Sequence, residues 1–279
     1  MNLRKQTSKA LQMLSLFGMA LAVGIFTTSC NPDDTQVVAK FDIITMQDEF
    51  DTEGAPNDKI WGYDIGTGTN GWGNNELQHY TDRSSNVEVK DGMLKITAVK
   101  EAYEGAAYTS ARLLTKGKFD QKYGRFEARI KLPWGQGMWP AFWLLGADFD
   151  TAGWPQCGEI DIMENRGAEP TTVSGTVHGP GYSAGNSVGK EFSLTNDRFD
   201  TGFHIFGIEW GEDYINYYVD DVLYNQITPA DVSGEWVFDQ PFFIILNLAV
   251  GGKFGGPPSD ATVFPQEMLV DYVRVYAAE

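Results

Sequence analysis

The run Gly158-Glu159-Ile160-Asp161-Ile162-Met163-Glu164-Asn165 sets three carboxylates among β-branched and apolar residues. That pattern belongs to a strand packed on one face, not to a solvated loop. Strand side chains alternate, so Glu159 and Asp161 share a face and Glu164 is sent to the other. One extra residue near Ile162-Met163, a β-bulge, returns Glu164 to the side of its partners. The two glutamates are then four effective strand positions apart, about 13 Å between Cα atoms at ~3.3 Å per residue.

Acidic residues in strands more often lie on a solvated face, and one pair would carry little weight. Three on one face repel one another, which costs stability unless the cluster is used or neutralised. Two glutamates leaning together close their gap to about 5 Å, the spacing that a nucleophile and an acid/base need in glycoside hydrolysis with retention. The run therefore reads as a catalytic strand.

The rest of the chain is punctuated like an all-β protein. Asn86–Lys90 and Met93–Val99 flank Asp91-Gly92, a hairpin signal. Tyr123–Leu132, Met138–Leu145, Thr171–His178, His204–Trp210, Ile215–Val219 and Phe242–Val250 also read as strands. No long stretch has a clean helical period, and strands without βαβ spacing imply an antiparallel sandwich. The 279 residues suffice for one large all-β domain; 13% are aromatic and 31 are Gly, as many turns and sugar-binding surfaces require. No internal repeat is evident.

The formal net charge of −17 sets the chain against nucleic acid and favours a neutral polymer as partner. Three histidines without close His/Cys spacing argue against a zinc site, and His79 and His204 read as structural. Gly185-Asn186-Ser187-Val188-Gly189 spells G-x-S-x-G, but no helix follows, so no nucleophile elbow is expected. Cys157 abuts the acidic strand and reads as a small buried hydrophobe.

Residues 1–29 read as a targeting segment: Arg4, Lys5 and Lys9, then an uncharged apolar run from Ala10 to Phe26. Thr27-Thr28-Ser29-Cys30 resembles a bacterial lipoprotein cleavage site, with Cys30 lipidated. An ordinary signal peptide or a short membrane anchor is the alternative. Residues 30–40, with Pro32-Asp33-Asp34, read as a tether. The expectation is a lipid-anchored protein of the outer membrane or cell surface of a Gram-negative bacterium, with no other membrane attachment.

Several motifs together resemble glycoside hydrolase family 16. Glu159-Ile160-Asp161-Ile162-Met163-Glu164 looks like its bulged E-x-D-x-x-E signature, in the laminarinase-like branch. Gly71-Trp72-Gly73-Asn74-Asn75-Glu76-Leu77-Gln78, Ser110-Ala111-Arg112-Leu113 and Met138-Trp139-Pro140-Ala141-Phe142-Trp143 match the same family. The closing segments Ile244–Gly252 and Val270–Tyr276 do so as well.

The resemblance implies a β-jelly-roll sandwich of two antiparallel sheets with a concave groove, formed by residues 41–279. It implies a monomeric retaining endo-β-glucanase acting on β-1,3-glucan, mixed-linkage β-1,3/1,4-glucan, or both. Glu159 would be nucleophile, Glu164 acid/base, and Asp161 would orient Glu159 while its charge keeps Glu164 protonated. Asn74, Arg112, Trp139, Trp143 and His178 would bind sugar, His178 near Glu164. No cofactor serves catalysis. A structural Ca²⁺ would sit on Glu49, the Gly92 carbonyl and Asp271, oxygen ligands of the kind it prefers. The alternative from another class is a surface lipoprotein that captures glycan without cutting it.

Overall fold

The computed structural model describes residues 40–278. The targeting segment, Cys30 and nearly all of the tether lie outside the described residues. Among the described residues, two sheets form a β-jelly-roll sandwich. The seven-stranded sheet runs, by neighbour, Val188–Ser193, Thr172–His178, Glu159–Glu164, Met138–Gly146, Phe242–Val250, Arg112–Leu114 and Gly62–Tyr63. The ten-stranded sheet is centred on Gly124–Lys131, Gln266–Ala278 and Met93–Tyr103. Pairing is antiparallel, except between Gln78–Tyr80 and Ala106–Ser110.

Alternation explains the core. Phe126, Ala128 and Ile130 of one sheet meet Phe142, Leu144, Ile160, Leu246 and Leu248 of the other, all fully buried. The Phe242–Val250 strand is buried at every position. Its inward side chains join the main core. Outward, Phe243 and Ile245 form a second cluster with Leu114, Leu145 and Cys157, and Trp143 packs on it. Cys157 is a free, buried thiol, as the sequence suggested, and burial pushes its pKa up to about 12.

The Asp91-Gly92 turn joins Val87–Lys90 to Met93–Tyr103 with Lys90 opposite Met93. Asp91 (φ 57°) and Gly92 (φ 72°) are both left-handed, as a two-residue turn matched to strand twist requires. The G-x-S-x-G run becomes a short turn, Ala184–Asn186, leading into a strand, Val188–Ser193. It has none of the strand-to-helix geometry of an elbow.

Candidate active site

The bulge is present where the sequence required it. Against Met138–Gly146, Asp161 pairs with Trp143 and Met163 with Phe142, so Ile162 has no partner. Against Thr172–His178, Asp161 faces Thr176 and Glu164 faces Ser174, three residues opposing two. Ile160, Ile162 and Met163 therefore all enter the core. Glu159, Asp161 and Glu164 are left on the outer face of the seven-stranded sheet.

Burial is the first cause of unusual acidity in all three. It raises Glu164 above the ordinary carboxylate range, and the indole N–H of Trp139, donating to Glu164 Oε1 at 2.9 Å, offsets only part of this. Asp161 is raised well above its usual value by burial and then by the Glu164 charge. Glu159 is pushed up to about 8 by burial and then by the charges of Asp161 and Glu164, against the lowering pull of His178 and a hydrogen bond from Trp154. Three buried like charges cannot coexist, so protons settle where nothing opposes them. Asp161 is lowered only by its hydrogen bond with Glu159, so its balance lies towards the protonated form. Against burial, His178 and Trp154 favour the charge of Glu159, and Trp139, His178 and Arg166 favour that of Glu164.

The resemblance gave Asp161 a charge that keeps Glu164 protonated; burial is the largest cause that raises Glu164, and Asp161 is itself raised by burial and then by the Glu164 charge. His178 also differs from expectation. Directly across the sheet from Glu159, its Nε2 stands 3.1 Å from Asp161 Oδ2 and 3.7 Å from Glu159 Oε1. It meets Glu164 only through its field. Its Nδ1 accepts the Ala184 N–H at 3.1 Å, so the neutral ring carries its proton on Nε2, facing the carboxylates. Glu159, Asp161 and His178 bring ligand-type atoms within 4.8 Å of one another. A metal-binding histidine has its far nitrogen donating, whereas His178 Nδ1 accepts, so the ring does not fit a metal ligand.

Trp139, Ala141 and Trp143 share the outer face, with Phe142 in the core behind them. The indole N–H of Trp143 donates to Asn247 Oδ1 at 2.7 Å. Arg112 lies 4.8 Å from the ring centres of both Trp72 and Trp143, with its Nε 2.9 Å from Asp64 Oδ2. The resemblance offered it as a sugar-binding residue; the structure pairs it with Asp64 and stacks it between two indoles.

Asn74 lies in the tight Gly71–Asn75 turn, its Nδ2 3.4 Å from Glu76 Oε1. A Cβ on Gly71 would meet the Glu76 backbone N and O at 2.5 Å, so glycine is required there. Trp72 is itself left-handed (φ 53°), a strained setting for a bulky residue.

Two residues were missed. Trp154 is 43% exposed, packs near His178 and hydrogen-bonds Glu159. A Trp between Gly153 and Pro155, just ahead of an acidic strand, was its signal. Asn247 is a lone amide in the apolar run Ile244–Val250, on the face that carries Trp143.

The three residues expected to hold calcium converge by register at one corner of the ten-stranded sheet. Glu49 follows Asp48, which pairs with Val273; Asp271 follows Val270, which pairs with Leu94 beside the Asp91-Gly92 turn. The donor types suit calcium. Both carboxylates are engaged, however: Glu49 takes two hydrogen bonds from Arg274, at 2.7 and 2.8 Å, and Asp271 takes one from Arg129 at 2.7 Å.

The model of glycosyl hydrolases family 16 matches residues 73–274. The chain is 42% identical to the beta-glucanase of Rhodothermus marinus over 96% of each chain. It is 36% identical to the endo-1,3-1,4-beta-glycanase EglC of Rhizobium meliloti, spanning 85% of this chain and about half (51%) of that protein. Among solved structures, the laminarinase catalytic domain of Thermotoga maritima is 49% identical with a TM-score of 0.80, covering 84% of this chain and 97% of that one. Fold, bulged acidic strand and sequence kinship agree: this chain is a member of glycosyl hydrolases family 16, in its laminarinase-like branch.

Proposed function

We propose that the protein is a retaining endo-β-glucanase acting on β-1,3-glucan, on mixed-linkage β-1,3/1,4-glucan, or on both. One observation carries the mechanism: a one-residue bulge puts Glu164 on the face of Glu159 and Asp161, where burial favours the proton that Glu164 has to give. Ionised Glu159 attacks the anomeric carbon while Glu164 gives its proton to the leaving oxygen. A glycosyl-enzyme ester forms on Glu159. Glu164, now a carboxylate, takes a proton from water, which attacks the same carbon and frees Glu159. Asp161, holding a proton beside Glu159, keeps that carboxylate oriented through both steps.

Trp139 and Trp143 offer flat apolar faces to pyranose rings, and the acidic surface suits a neutral polymer. A capture-only role would leave three buried, mutually repelling carboxylates without use. The test is product analysis on laminarin, barley glucan and lichenan, with the anomeric configuration followed by NMR. β-Configured oligosaccharides are expected first. α-Configured initial products would sink the retaining mechanism, and no cleavage of any of the three would sink the activity.

The same reading extends to a monomer, lipidated on Cys30 and held at the outer membrane or cell surface; its support is the sequence of residues 1–40. Cys30→Ser is expected to release the protein in soluble form, and unchanged membrane fractionation would refute the anchor. Calcium at Glu49, Gly92 and Asp271 would have to displace two arginines. A rise in Tm with added calcium, reversed by a chelator, is the expected sign of binding there. An unchanged Tm would leave the corner to its ion pairs.

A further inference from the structure

Glu76 is a largely buried carboxylate that the mechanism does not use. Burial raises its pKa, and the neighbours Gln78, Arg112, Asn74 and Tyr80 all pull it back towards the charged form. Its Oε2 accepts from Gln78 Nε2 at 2.6 Å and from the Tyr80 hydroxyl at 3.2 Å; its Oε1 accepts from Asn74 Nδ2 at 3.4 Å.

The direction of the Gln78 and Tyr80 bonds is fixed from outside. The Val250 N–H donates to Gln78 Oε1 at 2.8 Å, which leaves the Gln78 amide nitrogen facing Glu76. The Trp143 indole donates to Asn247 Oδ1 at 2.7 Å, which leaves the Asn247 nitrogen to donate to the Tyr80 oxygen at 3.2 Å. The Tyr80 proton then has Glu76 as its acceptor. Two side-chain relays and the Asn74 amide converge as donors on one group, an arrangement that suits a group that only accepts, as an ionised carboxylate does.

We propose that Glu76 is a positioning residue for glucan binding. It is the acceptor on which Asn74 and, through Tyr80 and Asn247, Trp143 are aligned, and its charge faces the Arg112 guanidinium that lies beside Trp72 and Trp143. This rests on the glucanase reading above. Glu76 acts through these neighbours and not on the reacting atoms.

Glu76→Gln keeps the shape but sets an amide N–H₂ against incoming donors. With laminarin, KM should rise about tenfold, the worth of one lost buried hydrogen bond, while kcat and its pH profile stay near wild type. Glu76→Asp should recover part of the KM. Tyr80→Phe cuts only the Trp143 branch and should raise KM by about threefold. Tyr80→Phe and Glu76→Asp carry the test if the glutamine variant does not fold. A lowered Tm with unchanged KM in the folded variants would make Glu76 merely structural and overturn the proposal. A fall in kcat at constant KM would overturn it too. Failure of the glucanase reading is separate, because wild-type enzyme would then cleave no glucan at all.

Discussion

The indole N–H of Trp139 donates to Oε1 of Glu164 across 2.9 Å, so one side chain offers both a stacking face and a bond to the buried acid. That bond favours the ionised glutamate, and burial opposes it and prevails. Trp139→Phe keeps an aromatic face and removes the donor. Glu164 then rises further. Activity requires its acid form, so the limb on which kcat/KM falls with rising pH should move upward, by up to about one pH unit for one hydrogen bond. pH profiles of both proteins on laminarin check this. An unmoved limb would assign it to another group.

Glu159 makes the fold pH-sensitive in a definite direction. Its folded pKa of about 8 lies above the ordinary 4.5, so its contribution to stability is fully present below 4.5 and is lost as pH rises through 8. Glu159→Gln has no such loss. The variant should melt higher than wild type at pH 8, by about 2–6 °C, with the gap closing near pH 4.5. Calorimetry at the two pH values reads this out, and equal Tm differences at both would contradict it.

Deleting Met163 restores plain alternation from Glu159 to the following glutamate. It also removes one of two consecutive side chains that the bulge sends into the core, Ile162 and Met163, 2% and 0% exposed. The deletion should fold, with stability lower by about 2–5 kcal/mol for the lost side chain. Re-aiming Glu164 should cut activity by about a hundredfold. Met163→Ala separates the two effects: it opens the same core but keeps the bulge, so it should lose stability and retain most activity.

Gly71→Ala tests the loop that holds Asn74. The added Cβ meets backbone atoms of Glu76 at 2.5 Å, which neither side can relieve by rotating a side chain. The turn must shift, and Asn74 and Glu76 with it. Glucan hydrolysis should fall mainly through KM while the sandwich persists. Far-UV circular dichroism alongside kinetics decides, and wild-type KM in a folded variant would discount the loop.

What could be read from sequence followed the strength of the local signal. The Phe242–Val250 strand has the bounds that its apolar run announced. The bulge was legible because the parity of Glu159 and Glu164 demanded it. Val188–Ser193 was missed because its side chains are nearly all exposed or half-buried, and such a strand shows no apolar alternation. Phe41–Asp48 was missed for the same reason, with one buried position in eight. At the site, the residue types were visible but their partners were not. The His178 contact with Asp161 depends on a cross-strand register, and the stacking of Arg112 joins three separate segments. The burial that raises Asp161 is suggested in the sequence only by its apolar neighbours.

The Phe242–Val250 strand has no solvent-facing position, with core on one side and the cluster under Trp143 on the other. It leaves little room for gradual variation, since almost any change there disturbs two packed layers at once. Divergence in substrate range is therefore channelled to the margins of the groove. The Gly71–Asn75 turn bounds it on one side and Val188–Ser193 on the other, and these elements can drift without moving the strand beneath the chemistry. The same asymmetry tells an engineer where to randomise: at the two rims, leaving the spine as it is.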